Sequence, residues 1–189
     1  MKMSWLTYAL MTVLFWGVYG VILHMGRGAM PGTPPNATPE GAHAGLKAFL
    51  LVCVAYAVIG VIAGFVLKGR GSNFSFTPSG ISISLVAGIA GAAGALTLVL
   101  ALGAAGQAGY GALAATAVMP IVFGGAPVVN SLVSMLLHPP SKDSFKSLPL
   151  FVAGIILAAT GAVLVAKFAP VSAPPAKKPN ATAPAESKH

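Results

Sequence analysis

Apolar residues along this chain run in long blocks that charges never enter. Lys, Arg, Asp and Glu are absent from residues 71–141 and from three further windows, 3–26, 48–67 and 147–166. The hydrocarbon core of a bilayer, about 30 Å thick, takes about 20 helical residues to cross. An ionised side chain at its centre costs at least about 2.5–3.5 kcal/mol. Windows of this length, apolar around the whole helix circumference, predict membrane-spanning helices rather than amphipathic ones.

The breaks between windows follow the backbone chemistry. Residues 5–25 form a first span, read as uncleaved because its apolar run exceeds the roughly 7–15 residues of a signal sequence. Pro31, Pro34, Pro35 and Pro39 then forbid a continuing helix. A second span covers 46–67 and stops at Lys68-Gly69-Arg70-Gly71. The loop at 72–79 carries Phe74 and Phe76, rings suited to the membrane interface. As one straight helix, residues 80–137 would measure about 87 Å. They must fold back, and the glycine-rich stretch 103–111 is where they can. The expected fold is therefore an all-α bundle of five transmembrane helices, at 5–25, 46–67, 81–103, 110–137 and 148–168. Residues 170–189, rich in Pro, Ala and Lys, form a disordered tail.

Composition narrows the class. Of 189 residues 56% are hydrophobic and 7% charged, with a formal net charge of +8; the mean hydropathy is +0.85. Soluble domains carry about 25% charged residues. The cations lie at window ends, as headgroup anchors and topology signals, and nucleic acid is not an expected partner. Lys2, Lys68, Arg70, Lys142 and Lys146 fall on one side, and Arg27, Lys47, Lys167, Lys177, Lys178 and Lys188 on the other. With the tail discounted, this favours a cytoplasmic N-terminus; the near balance also suits insertion in both orientations.

Candidate chemistry is sparse. The three acids, Glu40, Asp143 and Glu186, all lie in loops or tail, which leaves no intramembrane carboxylate for proton coupling. Lone Cys53 can form no intramolecular disulfide or cysteine cluster, and His24 and His138 sit at span ends as interfacial residues. Zinc-ligand spacing, a P-loop, a nucleophile elbow and paired acids are missing, so no catalysis, metal or cofactor is expected.

Two polar stripes remain. Tyr8, Thr12, Trp16 and Tyr19 share a face of the first span. Thr116, Pro120, Gly124, Pro127, Ser131 and Ser134 share one of the fourth, with Asn130 beside it. Together with Thr97 these predict a partly hydrated cavity, with Pro120 and Pro127 as hinges. The competing reading makes the same hydroxyls and amide packing glue, each contributing about 0.6 kcal/mol. Gly60 and Gly64, Gly88 and Gly91, and Gly154 and Gly161 are the expected points of close helix packing.

With the spans placed, the order of features resembles one five-helix EamA unit of the drug/metabolite transporter superfamily. Thr7-Tyr8-Ala9-Leu10-Met11-Thr12-Val13-Leu14-Phe15-Trp16-Gly17 is similar to the family's opening helix, with its Trp-Gly step. Residues 109–122, ending Ala117-Val118-Met119-Pro120-Ile121-Val122, resemble its fourth helix, and residues 152–164 its Gly-rich closing helix. His138-Pro139-Pro140 stands where members often place Gly-Glu. The resemblance implies a carrier of small metabolites in the bacterial inner membrane. Typical carriers hold two units per chain, so one unit implies a homodimer. Trp16, Tyr19, Thr97, Thr116, Pro120 and Asn130 are the expected solute-binding positions, and the absence of intramembrane charge favours neutral solutes. The opposing expectation is a membrane accessory or scaffold subunit whose stripes bind a partner helix.

Overall fold

The structure, a computed structural model, describes residues 5–32, 39–139, 141 and 146–171. Among them there is helix and connecting turn but no strand. The helices are α1 (Trp5–Gly28), α2 (Pro39–Ala42), α3 (Ala44–Gly69), α4 (Pro78–Ala105), α5 (Ala114–Leu137) and α6 (Leu148–Lys167). From residue 172 the expected disordered tail lies outside the described residues, as do Lys2, Lys142 and Asp143.

Four helical stretches are long and apolar enough to cross a membrane: Trp5–Gly28, Ala44–Gly69, Pro78–Leu137 and Leu148–Lys167. Four such stretches among the described residues are consistent with a multi-pass membrane protein, whereas the sequence alone predicted five separate spans. The difference lies in the third stretch, 60 residues long, which runs across a kink where Gly109 leaves helical backbone geometry. A single π turn (Gly106–Tyr110) and a 3-10 turn (Gly111–Leu113) carry the chain from α4 into α5. Gly109 has φ 104° and Gly111 φ 52°. That region is open to glycine and strained for other residues. The two arms then double back on each other: Leu98, Val99 and Leu102 of α4 share a core with Ala114, Ala115 and Met119 of α5.

Helix ends are set by local chemistry. Thr77 accepts a hydrogen bond from the Gly80 N–H at 3.1 Å, and Pro78 occupies the first turn, so α4 has a side-chain cap and a residue with no N–H to leave unpaired. At the end of α3 the Ser72 N–H donates to Leu67 O and the Gly71 N–H to Lys68 O, with Gly71 at φ 75°. This is the Schellman arrangement, which satisfies the helix's last carbonyls. Pro120 and Pro127 lie inside α5. Their rings leave the carbonyls of Thr116 and Phe123 without the usual donor, yet the helix continues past both.

The core is small and lies toward one end. Leu23 of α1 and Ala48 of α3 close on the α4 and α5 residues named above, with Tyr19, Phe49 and Tyr110 packed around them. Most other large apolar side chains are exposed. In water this would be untenable, but acyl chains are as apolar as leucine and no penalty attaches to that exposure.

Close backbone approach uses different glycines from those expected. A Cβ added at Gly60, Gly64, Gly88, Gly91, Gly154 or Gly161 would meet no heavy atom within 4 Å, so none of the six packs against another helix of this chain. The close contacts are instead Gly20 against the Met119 side chain and Gly124 against Ala162 of α6. Spacing of small residues reveals a face a neighbour could use, and the neighbour's position is fixed elsewhere.

Candidate functional site

Where α1, α4 and α5 diverge from the core they border an open-sided cavity of about 930 Å³. Helix α1 contributes Thr12, Val13, Trp16 and Gly17. From α4 come Gly91, Gly94, Ala95, Thr97, Leu98 and Ala101, and from α5 Val122, Phe123, Ala126 and Pro127. The small residues of α4 recess one wall, and the aromatic rings of the other two helices stand opposite. The volume lies in the range of small-molecule sites, about 300–1,000 Å³.

The ring geometry is defined. Trp16 meets Phe123 edge-on, centroids 6.1 Å apart and planes at 88°. On its other side it packs against Tyr19 at 5.3 Å and 59°. Edge and tilted contacts are the favoured aromatic arrangements, contributing about 0.5–1.5 kcal/mol beyond burial, so the Trp16 indole is held between two helices.

Polar groups in the cavity are few, and the structure shows how they are satisfied. Thr12 Oγ1 donates to Tyr8 O at 3.0 Å. Thr97 Oγ1 shares its hydrogen between Ala93 O and Gly94 O, both at 3.0 Å. Each hydroxyl has therefore spent its donor on its own helix and retains only acceptor capacity. Among the described residues no three of His, Cys, Asp and Glu gather as metal ligands. The cavity can offer aromatic faces, an apolar wall and two weak acceptors.

Of the residues singled out in the sequence, Trp16, Thr97 and Pro127 line this cavity, as does Gly91. Tyr19, Thr116, Pro120 and Asn130 do not. Tyr19 turns its buried hydroxyl toward Tyr56 and Cys53 of α3. Thr116 Oγ1 donates to Leu113 O at 2.6 Å, tying off the start of α5. Asn130 is exposed beyond the cavity. Sequence reasoning missed Phe123, Val122 and Ala126. Their mean direction lies about 105° around the α5 axis from the centre of the polar stripe, at 100° per residue. The stripe itself straddles two surroundings, with Pro127 at the cavity and Gly124 against α6.

Against known proteins, no family model matches the chain, and neither does any curated protein or solved structure; its function is argued from the residues and geometry above.

Proposed function

We propose that the chain is a transporter half-unit that takes a small, neutral, largely apolar solute into the α1/α4/α5 cavity. In this reading it is an EamA-like unit of five crossings, with α4 and α5 each traversing the bilayer, placed in a bacterial inner membrane and paired as a homodimer. The observation that carries the reading is the cavity itself: about 930 Å³ among three helices, walled by Trp16 and Phe123 and free of charged side chains. A charged solute would lose its hydration there with nothing to replace it. Pro127 lines the cavity inside α5, which gives a bending helix a direct way to reshape it.

Trp16 also makes the reading testable. The chain has two tryptophans, and Trp5 is 80% exposed at the start of α1. In Trp5→Phe the remaining indole reports on the cavity. Screening neutral apolar compounds should give saturable changes in its emission, and the compounds that bind should be taken up by proteoliposomes. Binding without uptake favours the second reading, an accessory subunit. That reading is supported by Thr12 and Thr97, whose hydroxyls are already bonded to their own helices. Absence of both binding and uptake removes the carrier.

A further inference from the structure

Arg27 is the one charged side chain classed as buried among the described residues, at 9% exposed. It lies in the last turn of α1, packed against Gly103 and within contact distance of the Gly45 and Gly106 positions. A Cβ at Gly103 would stand 3.2 Å from its Nη2 and 3.3 Å from its Cζ. One at Gly106 would stand 3.9 Å from Nη1, and one at Gly45 3.9 Å from Nε. The side chains of the chain's three acids, Glu40, Asp143 and Glu186, lie outside the described residues. Burying a guanidinium costs several kcal/mol unless its charge and donors are met.

Two neighbours share that end of the bundle. The ring of His24, one turn earlier on α1, places Nε2 2.9 Å from Gly111 O and Cε1 3.5 Å from the same Gly106 position that Arg27 approaches. Its Nδ1 is buried without a partner. With Nε2–H donating to the carbonyl, Nδ1 is a bare acceptor in the neutral ring and becomes a donor on protonation. Gly45 belongs to the first turn of α3, a 26-residue helix whose start has no side-chain cap. The start of α3 and the positive end of its dipole therefore lie near Arg27.

We propose that Arg27, His24 and the first turn of α3 form a binding site for a phosphate-class oxyanion, supplied by an anionic lipid headgroup or by dissolved phosphate. The planar guanidinium matches two phosphate oxygens at once. The positive end of the α3 dipole favours an anion on the same side. Gly103 keeps a side chain out of the space beside the guanidinium. The site is independent of the α1/α4/α5 cavity, whose α1 residues lie two or more turns away.

The test uses the full chain in zwitterionic detergent–lipid micelles, titrated separately with phosphatidylglycerol and inorganic phosphate. Thermal unfolding and the ring-nitrogen NMR signals of the histidines are the readouts. At least one anion should raise the unfolding midpoint saturably and shift the His24 signals. Arg27→Gln should weaken the half-saturation concentration by about tenfold or more, the worth of a charge-assisted bidentate pair. Arg70→Gln, at the other end of α3, should leave it unchanged. A response to phosphatidylglycerol alone assigns the headgroup, and one to inorganic phosphate alone assigns the dissolved ion. If Arg27→Gln does not fold, an anion-dependent His24 shift in the wild type supports the site and its absence overturns it. The proposal also fails if neither anion acts on the wild type, if Arg27→Gln responds equally, or if a response emerges only in Glu40→Gln, which would make Glu40 the internal counterion.

Discussion

The two halves of α4 have the same kind of sequence and opposite surroundings. From Ala95 to Gly103 the helix buries Ala95, Leu98, Val99, Leu102 and Gly103, whereas every residue from Pro78 to Gly91 is exposed. Both halves are Gly, Ala, Leu, Ile and Val with scattered hydroxyls. In water such halves would be driven together equally. In lipid, apolar burial drives nothing, and the packed half is distinguished by what meets it: Ala114, Ala115 and Met119 returning from the bend, with Leu23 and Ala48 alongside. Packing thus concentrates at the end where the bend and Arg27 lie, and the cavity opens where it gives way.

The contrast is broken most directly by cavity creation. Leu102 is 1% exposed and Leu85 62%. Leu102→Ala should destabilise by about 2–3 kcal/mol, the lower part of the range for buried leucine, because lost packing contributes in lipid and transfer from water does not. Leu85→Ala should change stability by less than about 0.5 kcal/mol, since acyl chains fill the space. Reversible unfolding in mixed micelles with an anionic denaturing detergent measures both. Equal effects would mean that the exposed half of α4 is packed in the membrane.

Overpacking tests the same distinction at α5 and α6. A methyl at Gly124 collides with Ala162, a backbone-fixed Cβ that cannot turn aside, and comes within 3.5 Å of Ala158 O. Gly124→Ala should cost about 1–3 kcal/mol. Gly154→Ala, on the partner helix with nothing within 4 Å, should be neutral. The same unfolding assay reads both.

These sites also mark what the sequence could and could not disclose. The charge-free windows disclosed helices long enough for a membrane, because the cost of an ion in hydrocarbon acts on each residue alone. The reversal near 103–111 was legible for the same reason: positive φ at Gly109 and Gly111 is a local demand on a glycine-rich segment. Rotation about the helix axis was not legible. A helix apolar on all sides has no preferred direction in lipid, so a polar stripe on α5 could not reveal that its cavity face is Val122, Phe123 and Ala126. On α1 the aromatic and hydroxyl stripe was a better guide, and Thr12 and Trp16 do line the cavity. The glycine spacing failed likewise, since Gly60 and Gly88 have room beside them but no neighbour in this chain to fill it.

At the junction of the packed and open regions, Trp16 bridges Tyr19 and Phe123. Trp16→Ala should weaken binding of a cavity solute about tenfold, the loss of one aromatic wall. Phe151→Ala, an exposed ring on α6, should leave binding unaltered. Equilibrium binding of the best compound from the fluorescence screen, followed by calorimetry, makes the comparison. Equal losses would place the solute outside the cavity.

The smallest effect is expected at Gly60 and Gly88, and its smallness is informative. Alanine is the better helix former by at most about 1 kcal/mol, and no atom of the chain obstructs it at either position. In a monomer, Gly60→Ala and Gly88→Ala should be neutral or slightly stabilising. A homodimer that buries these faces reverses the sign, because close backbone approach depends on the missing side chain and Gly88→Leu would then push two copies apart. Energy transfer between labelled copies in liposomes separates the cases. Weakened association in Gly60→Leu or Gly88→Leu, with monomer stability preserved, would assign the open half of α4 or the adjoining face of α3 to the second copy. Unchanged association would leave those faces to lipid and require the half-unit to pair through another surface.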